Sequence, residues 1–143
     1  MTAPVKVHRL HADASGLSRF DTFEIERAMT IFAPPALPFP VSKPTSASRF
    51  VLLQLPAGWI GERHPSPARQ ILFCLAGRVR VTPGTGEPVI IGVGDTWLME
   101  DTTGSGHETA VISHEPFEAA VVQIPDDEFR YERDQARSGW PGA

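Results

Sequence analysis

The sequence has little of what several classes of protein require. It contains one cysteine, Cys74, which excludes an internal disulfide framework and a zinc module built on cysteines. Its 17 aspartates and glutamates outnumber 13 lysines and arginines without any basic cluster, so nucleic-acid binding is not expected. No apolar run approaches the roughly 20 residues of a membrane-spanning helix, and residues 1–10 lack a signal-peptide core. We therefore expect a soluble cytoplasmic protein without nucleic-acid or membrane partners.

Glycine and proline, by contrast, are frequent, with 12 glycines and 14 prolines among 143 residues. Their combined share is about 18%, against about 12% in average proteins, which argues against long helices. Short apolar or alternating segments lie between these turn residues, a pattern typical of an all-β sandwich or barrel. The length fits a single domain that can bury a core of its own.

The turns divide the chain into short segments, and at least seven strands are expected between residues 20 and 124. The predicted strands are residues 20–27 and 28–32 (as one or two extended segments), 50–55, 69–75, 78–82, 89–91, 96–99, 108–113 and 117–124. Only Ala76 and Gly77 separate strands 69–75 and 78–82, so we expect these two strands to pair as a hairpin.

Residues 33–40 contain four prolines, which excludes this stretch from a sheet interior and predicts a polyproline II arm on the surface. After Pro125 the chain is highly charged, and the pattern there is compatible with a short amphipathic helix through Phe129 and Tyr131 or with disorder. We divide the chain into an N-terminal segment (1–19), a barrel (20–124) that includes the proline-rich arm (33–42), and a charged C-terminal tail (125–143).

The strand from Ile71 to Leu75 is apolar at every position, so both of its faces are expected to be buried. One face of a small barrel looks inward, and the other needs a cover. The proline-rich arm or a partner subunit could supply it, and this predicts a homodimer. The alternative is that these aliphatic side chains lie on the barrel exterior, as some do in most soluble proteins.

A polar mouth above an apolar floor is predicted for one face of the same region. The side chains that share parity along an extended chain are His64, Ser66, Gln70, Leu72 and Cys74. His107 opens a later strand and could face His64 across this mouth. A concave, mostly apolar pocket with a few convergent polar groups is the usual form of a small-molecule site.

The segment from Gly58 to Gly77 resembles the first motif of the cupin superfamily, G-x5-H-x-H-x3-4-E-x6-G. Here Gly58, His64 and Gly77 match, while Ser66 stands at the second histidine and Gln70 at the glutamate. Gly94 to His107 resembles the second motif. The sequence is most similar to small single-domain cupins of unassigned activity, which carry a proline-rich arm, an H-x-x-P-x-R-Q segment (64–70) and an E-D-T-T-G-x-G-H loop (100–107). The resemblance implies a cupin-type jelly-roll β-barrel.

The resemblance also implies a candidate metal site at His64, Gln70 and His107. Typical cupins use three histidines and one glutamate, which suit Fe, Mn, Ni or Zn. This chain offers two imidazoles and a neutral amide, so a divalent metal would be weakly held. Acidic residues nearby in sequence could substitute as ligands: Glu62, Glu100, Asp101 and Glu108.

Other polar residues have competing interpretations. Asp101, in a hydroxyl-rich loop, could bind a ligand or act with His107 as a general base, or could satisfy its own backbone. Arg69 points away from the pocket by parity, which favours a structural ion pair over a ligand clamp. Cys74 is expected to be packed and inert. The remaining histidines are expected at the surface: His8, His11 and His114.

We therefore expect a small-molecule-binding cupin whose ligand-binding residues are His64, Ser66, Gln70, Asp101 and His107. One alternative is a metal-dependent isomerase, lyase or oxygenase that uses His64, Gln70 and His107 as ligands. The other is a non-catalytic interaction or accessory protein whose barrel is only a scaffold. The fold by itself does not choose among them.

Overall fold

A computed structural model describes residues 3–125, and every regular element in that range is a β-strand. The strands are β1 (Val5–Ala12), β2 (Ser18–Ile25), β3 (Arg27–Thr30), β4 (Phe39–Ser42), β5 (Arg49–Leu55), β6 (Ile60–His64), β7 (Gln70–Ala76), β8 (Val79–Thr82), β9 (Val89–Ile91), β10 (Thr96–Met99), β11 (His107–Val111) and β12 (Phe117–Gln123). The described part of the chain has no helix that could cross a membrane.

Ten of these strands form two sheets that share one core. The larger has the order β2-β1-β10-β7-β12-β5, and the smaller has the order β6-β11-β8-β9. All pairs are antiparallel except β1 with β10, which run parallel. This architecture confirms the expected all-β, cupin-type jelly roll.

The core lies between the two sheets because alternate residues of each strand point inward. In β7 the inward side chains are those of Leu72 and Cys74, and in β8 they are those of Val79 and Val81. These four pack together with residues of β10, β11 and β12. The remaining buried members of this cluster are Leu10, Ile91, Trp97, Met99, Val111, Phe117, Ala119 and Val121.

The predicted hairpin through Ala76 and Gly77 is wrong. In the structure β7 pairs with β10 and β12, whereas β8 pairs with β11 and β9 in the other sheet. The chain crosses at Gly77, which has a φ of +74° and lies so close to Pro116 that a Cβ would meet the Pro116 carbonyl oxygen at 2.5 Å. Crossing lets the apolar faces of both strands meet in the core, which pairing in one sheet would prevent.

Three strands were not expected from the pattern: β1, β4 and β6. We placed the start of the barrel at residue 20, but β1 lies inside the larger sheet between β2 and β10. Val7 and Leu10 of β1 are fully buried, one on each face of that sheet. The C-terminal tail, residues 126–143, lies outside the described residues.

The proline-rich arm folds differently from the polyproline II expectation. β3 and β4 pair with each other as a two-stranded sheet, with Pro40 opposite Met29. A turn joins them, in which the Ala36 amide donates to the Ala33 carbonyl at 2.9 Å. Proline is tolerated in β4 because both strands of so small a sheet are edge strands. As expected, the arm stays out of the sheet interiors.

The outer face of β7 is covered only in part. Ile71 is buried in a second cluster on the outer side of the larger sheet, with Val7, Phe23, Leu98 and Ile124. Phe73 and Leu75 remain 40% and 58% exposed. Within a single chain, the expectation that β7 is buried on both faces therefore holds only at Ile71.

Candidate functional site

Two histidines meet at one end of the smaller sheet. His64 ends β6 and His107 begins β11, and the two residues are direct partners in the antiparallel pairing. Their ring centroids lie 5.3 Å apart, with the planes inclined by 43°. The two imidazoles that the sequence predicted to face each other are thus neighbours.

Local backbone features produce this meeting. The register between β6 and β11 shifts beyond the histidine pair, so that Glu62 and Arg63 lie opposite the single residue Glu108. Such a bulge re-aims the side chains beside it. Gly106, just before His107, has a φ of +76°, and a Cβ at that position would overlap the backbone of His64. Only glycine permits so close an approach of the two chain segments.

A buried carboxylate holds the ring of His107. Asp101 is fully buried, and its Oδ2 lies 2.6 Å from Nδ1 of His107. The other oxygen, Oδ1, accepts a hydrogen bond of 2.8 Å from the hydroxyl of Ser66. The Ser66 amide also donates to the Asp101 carbonyl at 2.9 Å. Asp101 therefore lies behind His107, where it fixes the orientation of the ring.

The two imidazoles differ in exposure but share one pattern of hydrogen bonding. His107 is 4% exposed, whereas His64 is exposed at the rim of the sheet. Nδ1 of His64 lies 2.8 Å from the carbonyl oxygen of Glu62. Because a carbonyl and a carboxylate only accept, each neutral ring carries its proton on Nδ1. Each Nε2 then has a free lone pair.

An indole forms the wall beside His107. The ring of Trp97, on β10 of the larger sheet, stands edge-on to His107 with centroids 5.4 Å apart. Trp97 is only 3% exposed, and its Nε1 has no hydrogen-bond partner among residues 3–125. Leaving a buried donor unpaired costs about 1–3 kcal/mol, so most such groups in proteins have partners. The sequence carries no signal for this unpaired group.

Gln70 lies in the larger sheet and not with the histidines. It is buried at the start of β7, opposite Met99, and its Nε2 donates to the Met99 sulfur at 3.4 Å. Within the described residues its hydrogen bond is to Met99 and not to either imidazole. Of the five predicted ligand-binding residues, four are linked in a chain from His64 to Ser66, and Gln70 stands apart from this chain.

The residues around the histidine pair do not fit a metal with a full set of protein ligands. Residues 3–125 contain no group of three or more His, Cys, Asp or Glu side chains arranged to hold an ion. Of the four carboxylates that might substitute, three are engaged, since Asp101 binds His107, Glu100 pairs with Arg69, and Glu108 pairs with Arg63 at 3.4 Å. The fourth, Glu62, is exposed and forms no such group with the two histidines. Two imidazole nitrogens remain as donors, fewer than the three protein ligands usual in catalytic zinc sites.

Arg69 and Cys74 are placed as expected. Arg69 is buried and forms an ion pair with Glu100, with Nε 2.7 Å from Oε2, as the structural interpretation predicted. Cys74 is a buried free thiol, and burial raises its pKa; its inertness stays a prediction. Of the histidines expected at the surface, His114 is exposed, and His8 and His11 are partly exposed.

Two sheets around one apolar core, with paired histidines at the end of the smaller sheet, define a cupin-type jelly roll. The model of the cupin domain family Cupin_2 matches residues 51–123, slightly more than half of the chain. The chain belongs to this family.

Comparison with solved structures gives two similar folds. A Cupin 2 conserved barrel domain protein from Salinispora arenicola is 16% identical with a TM-score of 0.45, and the match covers 90% of this chain and 89% of that one. A conserved protein of unknown function from Streptococcus pyogenes is 25% identical with a TM-score of 0.39, over 57% of this chain and 72% of that one. No curated protein matches the chain significantly.

Proposed function

We propose that the chain binds a small molecule at the end of the smaller sheet, against His64 and His107. The observation that carries the proposal is the buried polar cluster of Asp101, His107 and Ser66, against which the indole of Trp97 packs with an N–H that has no partner within residues 3–125. The first three residues form a single hydrogen-bond network, which holds the imidazole of His107 in a fixed orientation.

The energetic balance of this cluster favours a binding site over a mere scaffold. Burial of polar groups and carboxylates is unfavourable unless they are paired, and well-packed apolar residues would stabilise a barrel at least as well. A protein that used the barrel only as a support would have no use for the buried carboxylate of Asp101 or the unpaired N–H of Trp97. This argument weighs against the accessory-protein alternative.

The chemistry of the groups limits the ligand. Trp97 offers only a donor, so it calls for an acceptor such as a carbonyl or carboxylate oxygen. His107, with Nδ1 held by Asp101, offers Nε2 as an acceptor when neutral and as a donor when protonated. We therefore propose a small polar molecule that carries at least one oxygen acceptor and a hydroxyl or amide donor.

The metal-dependent enzyme has less support. With Gln70 bound to Met99 and no group of three ligating side chains among residues 3–125, a divalent Fe, Mn, Ni or Zn ion would have two imidazole nitrogens as ligands. Such an ion would be weakly held and easily removed by a chelator. The pairing of Asp101 with His107 is also the arrangement of an oriented general base, which needs no metal.

The test is a screen of small carboxylic acids and amides for binding to the full chain, by ligand-observed NMR. Hits are then measured against His107→Asn, Trp97→Phe and the control His114→Asn, whose histidine is exposed in the turn after β11, beyond the end of the strand opposite to His107. We expect His107→Asn and Trp97→Phe each to weaken binding at least tenfold, and His114→Asn to bind as the wild type does. Hits that bind all four proteins equally would refute the proposed site.

A further inference from the structure

Two apolar surfaces within residues 3–125 are exposed, away from the histidine pair. The first consists of the proline-rich arm together with the strand that pairs with it. These residues, 28–42, are called the arm from here on, and they include no charged residue. All ten residues from 31 to 40 are exposed. The large apolar side chains exposed on the arm are Met29, Ile31, Phe32, Leu37 and Phe39, with Leu37 83% exposed. An uncharged, apolar hairpin of this kind is unusual on a protein that meets only water.

The second surface is the outer face, defined here by Phe50 and Leu52 of β5 with Phe73 and Leu75 of β7. All four side chains are exposed, Leu52 by 71%. The small residue Ala120 of β12 separates Leu52 from Phe73 in the register, so the face has a shallow depression between two apolar ridges. The sequence predicts a cover for the outer face of β7, and Phe73 and Leu75 are the part of that face that residues 3–125 leave exposed.

A cavity of about 400 Å³ adjoins the outer face. Ile71, Phe73 and Val122 line it on the side of the sheet, and residues 42–47, at and just after the C-terminal end of the arm, also line it. The arm therefore ends at the edge of the apolar face without covering it. A side chain from another arm would find here both a flat apolar surface and a recess.

The area of these surfaces is large enough for a stable interface. The nine exposed side chains of the arm and the outer face together present on the order of 1,000 Å² per chain, and a standard protein–protein interface buries about 800 Å² per partner. Isolated exposed apolar residues need no explanation, but each of these two surfaces groups at least four large apolar side chains, and exposed apolar patches of more than a few hundred Å² mark interaction sites.

We propose that the protein is a homodimer formed by arm exchange, in which the arm of each copy lies on the outer face of the other. A twofold contact of this type is self-complementary, because one chain supplies both the arm and the face. It covers both uncharged surfaces at once. The four prolines of the arm favour this binding, since they reduce the conformational entropy that is lost when the arm is fixed.

The first experiment measures the mass of the full chain in solution by sedimentation equilibrium. We expect the wild type to be a dimer. Leu37→Asp in the arm and Leu52→Asp on the outer face should each raise the dissociation constant of the dimer at least tenfold. The control is Val93→Asp, which changes an equally exposed apolar residue in the turn between β9 and β10. It is expected to dimerise as the wild type does. A monomeric wild type would overturn the proposal and would leave residues 126–143 or another protein as the cover.

The second experiment distinguishes arm exchange from packing of two outer faces. The two variants are mixed, so that heterodimers can form. In a heterodimer, the unchanged arm of the Leu52→Asp chain lies on the unchanged outer face of the Leu37→Asp chain, which is one intact contact. Arm exchange therefore predicts more dimer in the mixture than in either variant alone. If Leu37→Asp dimerises like the wild type, or if mixing restores nothing, the arm does not exchange. Circular dichroism checks that both variants keep their strand content.

Discussion

Replacement of Asp101 tests the network on which the candidate site depends. Asp101 is fully buried and accepts one hydrogen bond from Ser66 and one from His107. In Asp101→Ala both donors lose their acceptor while they stay buried. In Asp101→Asn the amide oxygen can still accept from His107, and the amide nitrogen can donate to the Ser66 hydroxyl.

The structure sets the size of the two effects. An unpaired buried donor costs about 1–3 kcal/mol, and Asp101→Ala leaves two of them, on His107 and on Ser66. We therefore expect Asp101→Ala to lower the free energy of unfolding by about 2–6 kcal/mol. Asp101→Asn retains both contacts but loses their charge assistance, which is about 1 kcal/mol for each bond. The whole domain is expected to have only about 5–15 kcal/mol of stability, so the difference is readily measured.

The assay is equilibrium unfolding in urea, followed by tryptophan fluorescence, with the dependence on denaturant compared between variants. Asp13→Ala is the matched control, because Asp13 also accepts several hydrogen bonds but does so at the surface, where water replaces them. It should be far less destabilised than Asp101→Ala. A loss below about 1 kcal/mol for Asp101→Ala would refute the reasoning, since buried donors cannot lose their acceptor at so small a cost.

Three further outcomes are expected. Dialysis of tag-free protein against a chelator should leave its thermal midpoint unchanged, and a metal retained in equimolar amount would contradict the ligand count at the histidine pair. Cys74 should react with a thiol reagent at pH 8 only after unfolding, because burial raises its pKa and hides its sulfur; rapid labelling of folded protein would contradict this. The hydrogen bond from Arg9 lowers the pKa of Asp21, so this pair stabilises the fold above the unfolded carboxyl pKa of about 3.9, and the effect is lost as pH falls below it. Because the pair is exposed, Arg9→Gln should remove at most about 1 kcal/mol at pH 7 and nothing at pH 2, as measured by urea unfolding at both values.

The strands that the sequence predicted are those with a clear apolar pattern between turn residues. β8 alternates, whereas β7 and β10 are nearly continuous apolar runs, and the structure has strands at each of these places. β1 was missed because it is rich in charged and polar residues, although Val7 and Leu10 bury one side chain on each face of the sheet. Such a strand carries little periodic signal and is ordered by its two neighbours, β2 and β10.

The wrong pairing at Ala76 and Gly77 has a different cause. Two adjacent strands with a two-residue connection satisfy the local rules for a hairpin, and those rules do not distinguish a hairpin from a corner between sheets. The distinction depends on distant residues. Gly77 packs against the backbone of Pro116 and Phe117, some 40 residues further along the chain, and the core packing of β8 against β7 favours the corner. The local sequence predicts that the chain turns at this point, and tertiary contacts determine which sheet the next strand, β8, joins.

The candidate site shows the same division between local and distant information. The sequence predicted that His64 and His107 could face each other across the barrel mouth, although the strand that carries His64, β6, was not expected. Nothing local distinguished the two interpretations of Asp101, since an Asp in a Gly-containing loop bonds its own backbone as readily as a histidine. The distinction came from Ser66, whose amide and hydroxyl both bond Asp101 and so hold its carboxylate against His107. Ser66, which stands at the position of the second motif histidine, thus provides the second contact of the buried carboxylate.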